Sequence, residues 1–205
     1  MRLRTKSILL FFLILAILFW WRRGKGIHRH PIPCPSWFIW GLENPYTQAV
    51  AGSALLLERL ELKPGMKVLD VGSGPGRLSI PAAERVGPEG WVLALDIQPA
   101  MLDKLKKRAE TKKLGNIQTV LGGIGEGLLE KNAFDRALLV TVLGEISDRK
   151  AALDEIYVTL KPGGILSITE VIPDPHYQSK DTVRSLAESV GFCLKHQYCG
   201  GLAFT

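Results

Sequence analysis

The chain has 205 residues and a formal net charge of +6, from 26 basic and 20 acidic side chains. The charge is uneven, because residues 1–30 hold seven lysines and arginines and no acid, which leaves 19 basic and 20 acidic side chains for the other 175 residues. Those 175 residues suffice for one domain with its own core. A nearly neutral domain lacks the basic face that phosphate contacts require, which argues against a nucleic-acid partner.

The basic N-terminal arm, residues 1–30, contains an uncharged, mostly apolar run from Ser7 to Trp21. These fifteen residues would form a helix of about 22 Å, shorter than the ~20 residues of a full membrane span. Three interpretations stay open: a signal anchor, an interfacial insertion, and a cleaved signal peptide. The anchor fits best, because no small-residue cleavage site follows Trp21. Four basic residues follow the run and three precede it, which favours a cytoplasmic domain.

Residues 31–45 indicate a connector, because three prolines at alternate positions prevent regular structure. Four large apolar side chains then follow one another from Trp37 to Trp40. Tryptophan is frequent at bilayer interfaces. The run therefore predicts either a second membrane contact or a flap packed on the domain. We place this domain at residues 46–205.

Along residues 46–205 helical and extended patterns alternate, which is typical of a parallel sheet covered by helices on both faces. Helices are expected at about 55–60, 76–86 (with an irregularity at Pro81) and 99–112, and after two N-capping serines, Ser147 and Ser179. Strands are expected at 68–71, 91–97, 117–121, 132–140, from about 165, at 191–199, and as a short seventh strand near 202–205.

The three cysteines, Cys34, Cys193 and Cys199, show no metal-ligand spacing and leave an odd count, so a reducing compartment is the simplest context. We expect Cys193 and Cys199 to be packing residues of the sixth strand. The side chains of Leu153, Ile156, Tyr157 and Leu160 are expected to share one apolar stripe of the helix after Ser147.

Residues 68–77, VLDVGSGPGR, are the most informative segment. An apolar run leads to Asp70, and glycines then occupy every second position at Gly72, Gly74 and Gly76. The pattern indicates a strand, a tight turn and a helix N-terminus, where glycine lets backbone N–H groups approach a ligand closely. A dinucleotide fingerprint would place the third glycine one residue later, which disfavours a nucleotide-dependent oxidoreductase.

Three further segments follow: WVLALDI at 91–97, which ends a strand near an acid, NAFDRALLV at 132–140, and LKPGGIL at 160–166. With the glycine motif, in this order, they resemble the class I S-adenosylmethionine-dependent methyltransferases over roughly residues 46–205. The resemblance implies an α/β fold with a Rossmann-like doubly wound sheet, here with an N-terminal hydrophobic anchor helix, and S-adenosyl-L-methionine as the cofactor.

The resemblance also implies a cofactor site at the carboxyl ends of the strands, where strand order reverses. The glycine loop would hold the amino-acid end, Asp70 would act through that loop, and Asp96 would accept both ribose hydroxyls or, alternatively, cap the helix at Pro99. The implied cofactor-binding residues are Asp70, Gly72, Ser73, Gly74, Gly76, Asp96, Ile97, Gly123, Ile124 and Thr141.

One position departs from the pattern of the family. Many relatives carry an acid after the third strand that holds the adenine amino group, and this chain has Gly123 there, followed by Ile124. Adenine recognition would then fall to backbone groups and apolar contacts, with Ile97 against the ring.

Methyl transfer from a sulfonium is an in-line displacement, and alignment supplies much of its acceleration, so a dedicated base is not obligatory. Glu145 and His176 are the candidate catalytic residues, and Glu170, Asp174 and Tyr177 are further candidates in the same loops. A histidine there could take a proton from a substrate. The alternative for His176 is an ordinary surface-loop position.

We therefore predict a membrane-anchored S-adenosylmethionine-dependent methyltransferase with its domain on the cytoplasmic side. Its acceptor is expected to be small or lipophilic, such as a quinone precursor, a phospholipid headgroup, or an apolar phenol or amine. The alternative is a non-catalytic, membrane-tethered scaffold with a degenerate methyltransferase domain, which Gly123 and the short C-terminal strand would favour. The sequence leaves the oligomeric state open.

Overall fold

A computed structural model describes residues 51–172 and 174–205 of the chain. Its elements are α1 (Ser53–Arg59), β1 (Lys67–Val71), α2 (Ser79–Val86), β2 (Trp91–Asp96), α3 (Pro99–Thr111), β3 (Ile117–Leu121), β4 (Phe134–Val140), a 3-10 turn (Leu143–Glu145), α4 (Arg149–Thr159), β5 (Leu160–Val171), α5 (Lys180–Ser189), β6 (Cys199–Gly200) and β7 (Ala203–Phe204). The predicted anchor, the connector, the Trp37–Trp40 run and Cys34 lie outside these residues. Among the residues described, no helix has the length and apolarity to cross a membrane.

The seven strands of this part of the chain form one sheet in the order β3-β2-β1-β4-β5-β7-β6. Strands β1 to β5 pair in parallel, and β7 pairs antiparallel with both β5 and β6. The chain moves outward from β1 to β3 and then returns to place β4 beside β1. Strand order therefore reverses between β1 and β4, which is where ligands bind in sheets of this kind.

Apolar side chains cover both faces of the sheet. Alternate residues of β1 point to opposite faces, so Val68 packs with α1 and α2 while Leu69 packs with α4 and α5. Buried leucines such as Leu56 and Leu153 each contribute roughly 1.5–3 kcal/mol relative to an exposed side chain. The two apolar faces confirm the predicted Rossmann-like, doubly wound α/β sheet.

Most helix boundaries agree with the sequence patterns. Pro99 occupies the first turn of α3, and Ser179 caps α5 by accepting a hydrogen bond from the Thr182 N–H at 3.2 Å. The predicted cap at Ser147 is wrong, because Asp148 caps α4 and accepts from the Ala151 N–H at 2.9 Å. A carboxylate there also interacts favourably with the helix dipole.

The start of α2 and one side of α4 also differ from expectation. Helix α2 begins at Ser79 rather than near Gly76, since Pro81 has no N–H to extend the helical hydrogen bonds backward. Leu153 and Ile156 of α4 are buried as predicted, whereas Tyr157 is 45% exposed and contacts Phe192 edge to face.

The sixth strand was predicted far too long. Residues 192–198 form no strand, and β6 is only Cys199–Gly200. The chain turns back at Gly201, whose φ is +56°, so β6 pairs with the short β7, and one further backbone pair joins Tyr198 to Thr205. Cys193 and Cys199 are exposed, so the expectation that they pack in the core is also wrong.

A buried arginine joins α1 to the sheet. Arg136 of β4 is 9% exposed, and its Nε donates a hydrogen bond of 2.8 Å to the Leu60 carbonyl directly after α1. Its Nη1 donates to the Asp135 carbonyl at 2.8 Å. The guanidinium thus holds the end of α1 against strand β4.

Candidate functional site

The glycine loop after β1 has a backbone that only glycine adopts readily. Gly72, Gly74 and Gly76 have φ values of +68°, +54° and +87°. A Cβ on Gly72 would overlap Cγ2 of Val142, which follows β4. The loop after β1 and the chain after β4 therefore meet at the point where strand order reverses.

Asp70 connects β1 to the start of α2. Its Oδ2 accepts a hydrogen bond of 2.5 Å from the Ser79 hydroxyl, at the first residue of that helix. The carboxyl is 3% exposed, and burial raises its pKa to about 6, against the opposing effect of the Ser79 hydrogen bond. Asp70 thus ties the strand before the glycine loop to the helix after it, and its role toward the cofactor stays a prediction.

Asp96, the last residue of β2, holds the middle of the same loop. Its Oδ2 accepts from the Gly74 N–H and its Oδ1 from the Gln98 N–H, both at 2.8 Å. Burial raises the pKa of this carboxyl, and the backbone N–H groups of Gln98, Gly74 and Ile97 oppose that shift. Each oxygen keeps a second acceptor position, so the ribose role stays compatible with these contacts. The N-cap of α3 is Gln98, which does not support the alternative cap role for Asp96.

Thr141, directly after β4, has a φ of +55°. This is a rare conformation for a β-branched residue, and such strain costs of order 1–3 kcal/mol and is concentrated at functional sites. Its N–H donates to the Thr169 carbonyl at 2.8 Å, and its hydroxyl donates to the Val140 carbonyl at 2.7 Å. These bonds hold the chain so that Val142 reaches Gly72.

Beside this loop, an acid–histidine cluster forms from the loops after β4 and β5. His176 Nδ1 lies 4.0 Å from Glu145 Oε1 and 3.8 Å from Asp174 Oδ1. The His176 N–H also donates to Asp174 Oδ1 at 2.7 Å. The loop that carries His176 can approach Glu145 because residue 144, next to Glu145, is a glycine. A Cβ at Gly144 would overlap the His176 carbonyl oxygen. The structure thus brings together three of the candidate residues, Glu145, His176 and Asp174.

A second buried carboxyl supports this cluster from β5. Glu170 is 1% exposed, its Oε2 accepts from the Gln178 N–H at 3.2 Å, and its Oε1 has no hydrogen-bond partner among the described residues. Burial raises the Glu170 pKa to about 8 and also raises that of Asp174. Tyr177, the remaining candidate, packs edge to face on Phe204 instead.

A separate groove of about 310 Å³ lies between α5, β5 and residues 192–198. Its lining includes Arg59, Ile168, Val183, Phe192 and Tyr198. None of the predicted cofactor or catalytic residues lines it, so the groove is distinct from the site at the strand ends.

Comparison with known proteins decides the family. A family model described as a methyltransferase domain matches residues 62–199. The chain belongs to this methyltransferase family. One of the solved structures that it resembles is that of an S-adenosylmethionine-dependent methyltransferase.

Among relatives of the methyltransferase, an arsenite methyltransferase of Halobacterium salinarum is 31% identical over 133 residues, which cover 65% of this chain and 34% of the relative. A ubiquinone/menaquinone biosynthesis C-methyltransferase of Idiomarina loihiensis is 37% identical over 113 residues, 53% of this chain and 44% of the relative. The chain thus spans less than half the length of these relatives. The crystal structure of an Aquifex aeolicus methyltransferase has the same fold, with a TM-score of 0.76, 24% identity, and coverage of 83% of this chain and 96% of the other.

The glycine loop of this methyltransferase fits S-adenosylmethionine. The Ser73 hydroxyl is buried, yet it has no partner within the described part of the chain. A Cβ on Gly74 would meet no atom within 4 Å, so the loop backbone is open on that side. A buried hydroxyl and accessible backbone suit the polar amino-acid end of the cofactor, whereas a closed loop would not.

The adenine side of the methyltransferase site shows the predicted apolar groups. Ile97 is 55% exposed beside Asp96, and Ile124 is half-buried against the core. Gly123 carries no side chain, but the Glu126 carboxylate lies over it. The individual roles of these residues stay predictions.

Sequence reasoning placed Val142 with Thr141 at the end of the fourth strand, but it missed Ser79 and Glu126. A serine nine residues after Asp70, at the start of a predicted helix, was a usable signal for Ser79. Glu126 reaches its position through loop folding, for which the pattern carries no signal.

Proposed function

We propose that this enzyme transfers a methyl group from S-adenosylmethionine to a small, lipophilic acceptor at a membrane, with His176 as the proton acceptor. The observation that carries the proposal is the position of the acid–histidine cluster. Glu145 and His176 come from the loops after β4 and β5, at the same edge of the sheet as the glycine loop after β1. A site that joins a cofactor cradle to a proton acceptor suits acceptors that lose a proton on methylation.

Bound S-adenosylmethionine supplies an electrophilic methyl group on a sulfonium. The glycine loop and Asp96 would hold the cofactor, which would supply the methyl group to an acceptor oxygen, nitrogen or carbon aligned with it. His176 would take the proton that the acceptor loses on methylation. The carboxylates of Glu145 and Asp174 lie within 4.0 Å of His176 Nδ1 and border the place of the proton acceptor. The Glu170 carboxyl is buried next to this cluster, and because burial raises its pKa to about 8, it is mostly neutral at pH 7.

Two observations support a lipophilic acceptor. The uncharged Ser7–Trp21 run with its basic flanks resembles a membrane anchor and suits the anionic lipid of a cytoplasmic leaflet. One relative is named for quinone biosynthesis, and others are demethylmenaquinone methyltransferases, whose acceptors by name are quinone precursors. A free, water-soluble metabolite would need no such segment.

The location of the domain follows from the cofactor and the charges. S-adenosylmethionine is made in the cytosol, and the four basic residues after the apolar run outnumber the three before it. We therefore propose a domain tethered to the membrane on its cytoplasmic side. We expect an added protease to digest the domain in inverted vesicles and to leave it intact in right-side-out vesicles. The opposite pattern would contradict this orientation.

The acceptor is tested with the full chain in lipid vesicles and S-adenosylmethionine carrying a labelled methyl group. Lipid and water-soluble extracts are supplied in parallel, and the label is expected in the apolar fraction. A variant without residues 1–30 should bind the cofactor equally well but turn over a membrane-embedded acceptor more slowly.

The matched control replaces Ser7–Trp21 with an unrelated apolar sequence of equal length, which should restore turnover if the segment only tethers. The lipid proposal fails if the truncated enzyme methylates a water-soluble metabolite best, and as fast as the full chain does.

A further inference from the structure

After β3 the chain presents two glycines, Gly122 and Gly123, in the region where adenine is expected. The Gly122 N–H donates to the Asp96 carbonyl at 3.1 Å, so the pair lies next to the ribose acid and to the exposed Ile97. Neither glycine can supply a polar side chain. The exocyclic amino group of adenine would therefore lack a side-chain acceptor unless another residue provides one.

The following loop folds back over these glycines and brings a carboxylate with it. Glu126 Oε1 lies 2.6 Å, and its carboxyl carbon 3.2 Å, from the point where a Cβ of residue 123 would stand. An aspartate at 123 would place its own oxygens about 2.4 Å from that Cβ, from standard C–C and C–O bond lengths. Glu126 thus carries a carboxylate oxygen at nearly the distance where an aspartate at 123 would carry one.

The loop is held in this conformation on both sides of Glu126. Glu155 of α4 accepts from the Gly125 N–H at 2.5 Å through Oε2 and from the Leu129 N–H at 3.1 Å through Oε1. Gly125 and Gly127 have φ values of +97° and +74°, a conformation that glycine adopts readily and that the tight turn requires. Two glycines and a bidentate acid therefore aim Glu126 back toward Gly123.

We propose that Glu126 accepts the hydrogen bond of the adenine 6-amino group, in place of the acid that residue 123 does not supply, and thereby sets base specificity. An ionised carboxylate only accepts hydrogen bonds, which matches an amino donor. Ile97 offers the apolar surface for the ring, and Asp96 serves the ribose. The proposal rests on the cofactor site described above.

The test compares two ligands by calorimetry on the full chain: S-adenosylhomocysteine and its analogue with hydrogen in place of the 6-amino group. The wild type should bind the amino ligand roughly tenfold more tightly, the scale of one hydrogen bond to a charged group. Glu126→Ala should reduce this ratio to within about twofold of unity, mainly by weakening the amino ligand. Glu126 is exposed, so the variant should fold, and the thermal midpoint checks this.

Two further variants sharpen the comparison. Glu130→Ala removes an exposed acid of the same segment and should leave the ratio unchanged. Gly123→Asp combined with Glu126→Ala should restore the preference for the amino ligand, because it returns carboxylate oxygens to a similar distance from the backbone of residue 123.

A ratio that Glu126→Ala leaves unchanged, or a wild type that binds both ligands equally, would overturn the role of Glu126 alone. A wild type that binds neither ligand would overturn the cofactor site and the proposed function with it.

Discussion

Replacing Asp96 tests the cofactor site most directly, because the structure gives this carboxylate two tasks. In the absence of ligand it accepts hydrogen bonds from the Gly74 and Gln98 N–H groups. Hydrogen bonds to a charged group contribute about 1.5–3 kcal/mol each. Burial of the charge offsets part of this, as the raised pKa of the carboxyl shows. We therefore expect Asp96→Ala to lower the free energy of unfolding by about 1–3 kcal/mol.

The effect on binding adds the contacts to the ribose. Loss of a charged hydrogen bond and of the loop geometry should weaken S-adenosylmethionine binding by about 2–3 kcal/mol, roughly a 30- to 150-fold rise in Kd. Calorimetric titration measures this, and chemical denaturation measures the unfolding term separately. Asp103→Ala, at an exposed acid of α3, is the matched control and should change neither quantity. Unchanged affinity in a folded Asp96→Ala protein would remove Asp96 from the site.

Three other residues give predictions of different kinds. Because burial raises the Glu170 pKa from 4.5 to about 8, the folded chain keeps a proton that the unfolded chain releases. The free energy of unfolding should fall as the pH rises through this window, and Glu170→Gln, which has no proton to release, should reduce that fall by up to a few kcal/mol. Denaturation at pH 5, 6.5 and 8 measures the free energy of unfolding of both proteins. An equal dependence on pH in the two proteins would contradict the reasoning. His176→Ala should lower kcat about 100-fold or more with cofactor affinity within twofold, whereas an unchanged kcat would assign the residue to the surface. Gly72→Ala should destabilise the fold by about 1–3 kcal/mol, through its positive φ and the overlap with Val142. Adding Val142→Ala should recover only the part of this loss that the overlap causes. Full recovery of stability would contradict the role of φ.

The parts of the fold that were predictable are those that local patterns encode. The apolar runs into Asp70 and Asp96 identified both strands and the acids near their carboxyl ends, because an apolar run that reaches a carboxylate is visible within ten residues. Pro99 and Ser179 likewise set helix starts through their own backbone chemistry. The family resemblance then ordered these elements in the sheet.

The parts that were not predictable depend on contacts between distant segments. The pairing of β6 depends on the turn at Gly201 that brings β7 beside it, and no property of residues 191–199 encodes that turn. The approach of His176 to Glu145 depends on Gly144, and the position of Glu126 depends on Glu155, 29 residues later in the chain. Each of these is a long-range packing event, so sequence spacing identified the candidate groups but not their partners.

The bond from Arg136 to the Leu60 carbonyl bears on where the folding unit starts. The family match begins at residue 62, yet the guanidinium in the sheet depends on an acceptor at residue 60. A shortened protein that starts at the family boundary would leave a buried cation without that acceptor, at a cost of about 1–3 kcal/mol or more. It would also expose the core surface that Leu56 and Leu60 cover. The minimal unit for expression, for crystallisation or for grafting onto another tether therefore includes α1, and its first cut belongs before residue 51.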